Sequence, residues 1–214
     1  MSIFLFTFIK AIQTGAPAGT MSLRKAIPAL ALICLAVTLT SAQAGDDLAQ
    51  RAADSREAIK QAQAALQQEL QTAMKKGGPE LAIHACSTKA LGITREMSQK
   101  QHMLIRRTSL KLRNPQDAPD AWEKKVLKDF QGRINRGENP AQMEHFEIVE
   151  KDGAKQFRYM KAITIPKNAP CLVCHGDNID PGLKAKIKGR YPYDEATGFK
   201  EGDLRGAFSV RQQL

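Results

Sequence analysis

Five consecutive residues, Cys171-Leu172-Val173-Cys174-His175, hold the densest chemistry in the chain. Two thiols three positions apart, followed at once by an imidazole, make the C-x-x-C-H pattern of covalent haem attachment. Each thiol can form a thioether to one vinyl group of a porphyrin. The histidine then falls beneath the iron and offers one axial nitrogen. Pro166 and Pro170 restrict the approaching chain, which helps to hold that geometry. Two rival chemistries use the same spacing. A dithiol redox pair belongs in a βαβ context, which the flanking sequence lacks. A zinc site needs further Cys or His pairs at short spacing, which are also missing. The motif occurs once, so one covalently attached c-type haem with its iron is expected.

The remaining cysteines sharpen this reading. The chain has four. Cys34 lies in an apolar leader and would leave with it, and Cys171 and Cys174 are assigned to the haem. Cys86 is left over, and three roles suit it. It could be a small buried hydrophobe, half of an intermolecular disulfide, or the second axial ligand, opposite His175. At about 100° per residue, Cys86 shares a helical arc with Ala82, Ile83, Ala90, Ile93 and Met97, with Lys89 at its edge. His84 falls roughly 160° away and cannot face the same pocket. His102, His145, Met97, Met103, Met143 and Met160 are the other candidates for the sixth position. Geometry ranks Cys86 first among them and leaves the choice open.

The elements that must position these groups begin after a leader. Arg24 and Lys25 precede an apolar run from Ala26 to Leu39, and Ala42-Gln43-Ala44 is a small-x-small cleavage site. The run is too short to span a bilayer. Residues 21–44 therefore read as a signal peptide cleaved after Ala44, with 1–20 read as an upstream extension and Met21 as the start. No later window is long and apolar enough to span, so no stable membrane insertion is expected after cleavage. Export, an oxidising compartment and a c-type motif together point to the periplasm.

Asp46 to Lys76 lacks Pro and Gly and is rich in Ala, Gln and Leu, which predicts one long amphipathic helix. Lys75-Lys76-Gly77-Gly78 is a helix end, and Pro79 opens a second helix reaching about Gln101. A strand is expected within 104–112 and a helix over Pro119–Ile134. A hairpin is expected about Lys151-Asp152-Gly153, a short helix over Pro181–Lys188, and a last strand over Leu204–Arg211. Helices first and antiparallel strands later give an α+β class. The organisation is a leader (1–44), an N-terminal helix (45–76) and a haem domain (77–214).

Composition limits the partners. The formal charge of +10 includes three cations, Lys10, Arg24 and Lys25, in a leader that has no acids, so the rest carries +7. An excess of that size suits anionic partners or cofactors as readily as nucleic acid. No nucleic-acid motif accompanies it, and no nucleic-acid partner is expected.

Several motifs occur in a fixed order: Ala85-Cys86-Ser87-Thr88-Lys89-Ala90, Arg107 to Pro115, Ala118-Pro119-Asp120-Ala121-Trp122-Glu123, Cys171 to Gly176, Tyr191 to Phe199, and Gly202 to Val210. Together they resemble the family of exported c-type haem proteins with a PAS-like fold and His/Cys axial ligation. The resemblance covers nearly all of residues 47–211. It implies that Cys86 and His175 are the axial iron ligands. It also implies a five-stranded antiparallel sheet of PAS type, with the long helix lying outside it. Arg107 and Arg113, in the motif between the two ligand segments, are the candidate propionate contacts, with a structural arginine as the alternative for each and the Asn114-Pro115 turn as the place Arg113 would hold. Trp122 reads as core, with the haem edge as an alternative contact.

A thiolate favours ferric over ferrous iron, so a low potential is expected. The expected function is redox or gas sensing through a labile Cys86 ligand, with a small diatomic molecule as a possible ferrous-state ligand and a signalling protein as partner. A low-potential electron carrier, exchanging with a redox partner, is the alternative. Two protein ligands leave no open site at rest, and no distal acid/base group is evident. No catalytic residue is assigned and enzyme activity is not expected.

Overall fold

A computed structural model describes residues 30–214, with side chains from Gly45 onward except at Lys151. The signal peptide read at 21–44 lies outside the described residues, apart from helical backbone from Leu30. The chain divides after Ala42, and the sheet and the helices packed on it belong to the unit Gln43–Leu214.

Helix α1 (Leu30–Thr88) contains the break that the glycine pair predicts. Gly77 (φ −154, ψ 19) and Gly78 (φ 65, ψ −159) leave helical geometry, and Pro79 restarts it. At Lys89, which stays right-handed and keeps helical bonds to Ala85 O and from Ile93 N, the chain passes into α2 (Ala90–Gln101), which ends on left-handed His102. Strand β1 (Leu104–Thr108) follows, then a 3-10 turn at Pro115–Asp117, and α3 (Ala121–Asn135). Strands β2 (Glu144–Lys151) and β3 (Ala154–Thr164) form the expected hairpin. Asp152 (φ 53) and Gly153 (φ 75) are both left-handed, as a two-residue turn of this twist requires. The one-turn α4 (Leu172–His175), α5 (Pro181–Arg190) and β4 (Leu204–Gln213) complete the chain.

The strands form one antiparallel sheet in the order β1-β4-β3-β2. The class is α+β, but the described residues hold four strands, not the five expected. The two long connections that could supply a fifth are taken up by helices and prolines. Leu112 O accepts from Glu195 N at 2.7 Å, so these stretches touch. Pro166, Pro170, Pro181 and Pro192 have no N–H to extend a ladder.

Each face of the sheet carries one helix. On the first, Ala52, Ala58, Ile59 and Ala62 of α1 pack on Ile105, Phe157, Tyr159, Phe208 and Val210. On the second, Val126, Leu127 and Phe130 of α3 pack on Met143, Met160, Leu204 and Ala207. The second face also buries charge. Asp120 and Glu123 make a capping box: Glu123 N donates to Asp120 Oδ1 (2.8 Å) and Asp120 N to Glu123 Oε2 (2.9 Å). The same carboxylates receive Arg106 of β1, Arg158 of β3 and Arg211 of β4. Trp122 belongs here, bonded to Glu147 and covered by Arg158 at 4.2 Å, which settles it as part of this layer. No helix of the described residues is long and apolar enough to cross a membrane.

Glu123 is fully buried and Arg158 nearly so. Glu123→Ala should break the reciprocal half of the capping box and remove one of the two carboxylates that Arg158 meets, destabilising the fold by about 1–3 kcal/mol. Urea denaturation followed by circular dichroism measures this.

Candidate functional site

Residues i, i+3 and i+4 of a helical turn share one face. The one-turn α4, opened by Cys171, therefore gathers Cys171, Cys174 and His175 on the same side. Its coil is closed by Cys174 N and His175 N donating to Cys171 O, at 3.3 and 3.0 Å. Gly176 ends it, with its N–H on Leu172 O at 2.9 Å. A Cβ there would come within 2.7 Å of the same oxygen, so the turn needs glycine. The following backbone is clamped by Gly198 N on Gly176 O (3.0 Å) and Phe199 N on His175 O (2.9 Å). The Phe199 ring meets the imidazole edge-on, with centroids 6.2 Å apart.

These three side chains line a cavity of ≈ 250 Å³ on the α1 face of the sheet. Its opposite wall is α1 itself, through Leu70, Met74, Ala82, Ile83 and Cys86. A straight helix would separate positions 74 and 86 by about 18 Å. The break at Gly77-Gly78 is what lets both border one cavity. Cys86 and His84 diverge as helical spacing predicts: Cys86 faces the cavity, whereas His84 is exposed and does not line it. Cys86 keeps accessible surface, but that surface is cavity wall, and burial there raises its thiol pKa against the opposing pull of Arg107 and Arg113.

The other candidates for the sixth position are elsewhere. Met97 and Met103 pack against the α1-side core. Met143 and Met160 lie in the α3-side core. His102 caps α2, and His145 contacts Glu147 and Trp122. None of the six lines the cavity.

His175 is prepared to act as a base. Its Nδ1 lies 2.8 Å from Ala196 O. A carbonyl has no proton to give, so Nδ1 carries the hydrogen and Nε2 keeps its lone pair. Burial, then the nearby Arg205, Arg113 and Arg107, lower its pKa to about 3. It is neutral at physiological pH.

Three arginines border the cavity, and they differ in engagement. Arg107 makes no hydrogen bond or ion pair among the described residues, and its guanidinium is available to an anion. Arg113, expected to share that task, is instead held by Asp194 at 3.0 Å and by the carbonyls of Cys174 (2.6 Å) and Ala196 (3.2 Å). Arg205 is the cation that sequence reasoning missed. A register shift at Ile163/Thr164 leaves Arg205 without a strand partner, between Leu204 and Gly206, which both have one. Such a bulge re-aims a side chain, and both Arg205 and Gly206 line the cavity. Arg205 donates to Ser109 Oγ (3.1 Å) and Lys111 O (3.3 Å). Burial, then Arg113 and Arg107, lower its pKa to about 10, so it stays charged. Met74, Asp117 and Tyr191 also line the cavity without having been singled out. Asp117 is buried enough for its carboxyl pKa to rise. Only the bulge had a sequence signal, the Arg205-Gly206 pair inside a strand.

The depressed His175 pKa has a measurable consequence. Between about pH 6.5 and pH 3 the unfolded chain takes up a proton at His175 that the folded chain refuses. Folding stability from this group is full above 6.5 and falls as pH drops through that window, by at most about 1.4 kcal/mol per pH unit. For the polypeptide alone, His175→Gln should flatten this part of the stability–pH curve, as read by denaturant unfolding at several pH values.

The profile of the Tll0287-like family matches residues 41–212. Among solved structures, the crystal structure of the cyanobacterial heme-protein Tll0287 is similar in fold, with a TM-score of 0.57 and 25% identity. That similarity covers 77% of this chain and 96% of that one. A comparison with curated proteins finds no match. The family match runs across the first helix, the sheet and the cavity, and the chain belongs to the Tll0287-like family.

Proposed function

We propose that this is an exported, periplasmic haem protein of the c type that reports redox state, or a small diatomic ligand, to a partner protein, and is not an enzyme. The observation that carries the reading is the convergence of four donors from two distant segments on one cavity: Cys171, Cys174 and His175 on one wall and Cys86 on the other. Haem binding is further supported by family membership and by the heme-protein of similar structure.

The donor set fits such a group. Cys171 and Cys174 are half-buried thiols at the cavity wall, suited to thioether attachment. His175 is neutral, with Nε2 free of any protein hydrogen bond among the described residues, as an axial ligand must be. Cys86 would supply a sulfur to the iron. Arg107 and Arg205 present two cations to the anionic edge of the group. Bound there, haem would supply a one-electron couple and an iron whose hold on a thiolate depends on its charge.

The chain's own part in sensing rests on Cys86. Its segment, Pro79–Thr88, starts at the non-helical Gly77-Gly78 pair and runs on through Lys89 into α2. The segment is held by buried Ile83 against Leu183, Ile187 and Tyr191 and by Ala82 and Ala85 against Ala73, and its polar ties, Glu80 with Lys186 and Ser87 with Arg190, are exposed. Exposed contacts of this kind hold weakly, each contributing about 0–1 kcal/mol. Burial favours the neutral thiol whenever Cys86 is not a ligand. A segment hinged at the Gly77-Gly78 break is able to shift when its sulfur lets go. An electron carrier would instead keep its ligation, so the two functions separate experimentally.

Exported protein, produced with c-type haem maturation, should gain the mass of one haem that survives denaturation, and Cys171→Ala/Cys174→Ala should lose it. Wild type without covalent haem would sink the reading. In an optical and EPR redox titration, wild type should show a low-spin thiolate signature that Cys86→Ala lacks. Loss of that ligation on reduction supports the sensor, and persistence in both states supports the carrier. Identical ferric spectra for the two proteins would remove Cys86 from the site.

A further inference from the structure

Arg113 is the one cavity arginine in an ion pair among the described residues, and its bonds run to a specific place. The pair with Asp194 is two-pronged, Nε to Oδ1 at 3.1 Å and Nη2 to Oδ2 at 3.0 Å. Both side chains are nearly buried, at 12% and 7% exposure. That much would suffice for a structural clamp. Arg113 Nη2 goes further and donates to Cys174 O at 2.6 Å, the carbonyl of the residue just before His175. It also donates to Ala196 O at 3.2 Å, the oxygen that accepts His175 Nδ1–H. Asp194 completes the ring, with Oδ1 accepting Ala196 N at 2.9 Å.

The two residues therefore grip the imidazole from both directions. Arg113 fixes the backbone that carries His175, and the pair fixes the carbonyl that orients its ring. A carbonyl oxygen has two lone pairs, and here the two donors are His175 and Arg113. A hydrogen bond to the rear nitrogen of a ligating histidine sets its tautomer and orientation. We propose that the Arg113–Asp194 pair is a positioning device for His175, holding the ring in the Nδ1–H tautomer with Nε2 directed at the cavity. The proposal rests on the reading of His175 as an iron ligand. It assigns Arg113 a role distinct from that of Arg107, which is left for the anion.

The test uses wild type, Asp194→Asn, Arg113→Lys and the double variant Arg113→Gln/Asp194→Asn. The double variant removes both charges together, so no lone ion is buried. Asp120→Asn, which weakens an arginine–carboxylate cluster on the other face of the sheet, controls for lost stability. Two readouts are taken. In the polypeptide without haem, nitrogen NMR of the histidine rings should give a pure Nδ1–H form of His175 in wild type and in Asp120→Asn. It should give a mixture of tautomers in Asp194→Asn and in the double variant, with Arg113→Lys between. In the haem-loaded proteins, the single low-spin EPR signal of wild type should split into several species in the same order.

A wild-type His175 in the Nε2–H form overturns the proposal outright, whatever the variants do. Retention of one tautomer and one EPR signal in Asp194→Asn and the double variant reduces the pair to an ordinary clamp. If the double variant does not fold, Asp194→Asn and Arg113→Lys decide. Failure of wild type to attach haem would defeat the functional reading, and the NMR of the polypeptide would still decide this one.

Discussion

The packing of the first helix on the sheet governs the rest of the molecule. Ala52, Ala58 and Ala62 offer β1, β3 and β4 nothing larger than a methyl group, and all three are fully buried. Those methyl groups and Ile59 seat the helix on Phe157, Tyr159 and Phe208, and its path is fixed along the sheet. Farther on, Leu70 and Met74 become a cavity wall because the helix continues on that path. The Gly77-Gly78 break then turns the chain so that Cys86 borders the same cavity as Met74. Larger residues at the three alanine positions would lift the helix and with it the Cys86 wall.

The two faces of the sheet manage charge differently. On the α3 face, Arg106, Arg158 and Arg211 meet carboxylates that already cap a helix, so each charge has a partner and that layer is locked. On the α1 face, Arg107 and Arg205 have no carboxylate partner among the described residues, and Arg113 uses its carboxylate on the loop that carries His175. Among the described residues Asp117 is the one carboxylate near both Arg107 and Arg205, and its single charge leaves this cationic cluster favourable to a further anion. The asymmetry marks the α1 face as the one arranged around a ligand and the α3 face as the one arranged for stability.

Local patterns were legible where the interactions are local. The glycine pair, the Asp152-Gly153 turn, the helix opened by Asp120 and the edges of β4 all follow from residues within a few positions of one another. The face of Cys86 was legible for the same reason, since helical spacing alone separates it from His84. The strand count was less so. A fifth strand depends on whether the long connections meet a sheet edge, and their prolines and short helices kept them off it.

The sequence by itself determined the chemistry: two thiols and an imidazole fixed by spacing, one surplus thiol on an apolar helix face, and a modest cationic excess. The tertiary structure decided which of these groups share a space. It brought Cys86 to the cavity that His175 also lines and kept Met97, Met103, Met143, Met160, His102 and His145 away. It also divided the work of the arginines. Arg113 and Asp194, like Ser109 and Arg205, meet across some eighty to one hundred positions of chain. Such pairings are set by sheet register and a bulge, and neither is encoded in the order of neighbouring residues.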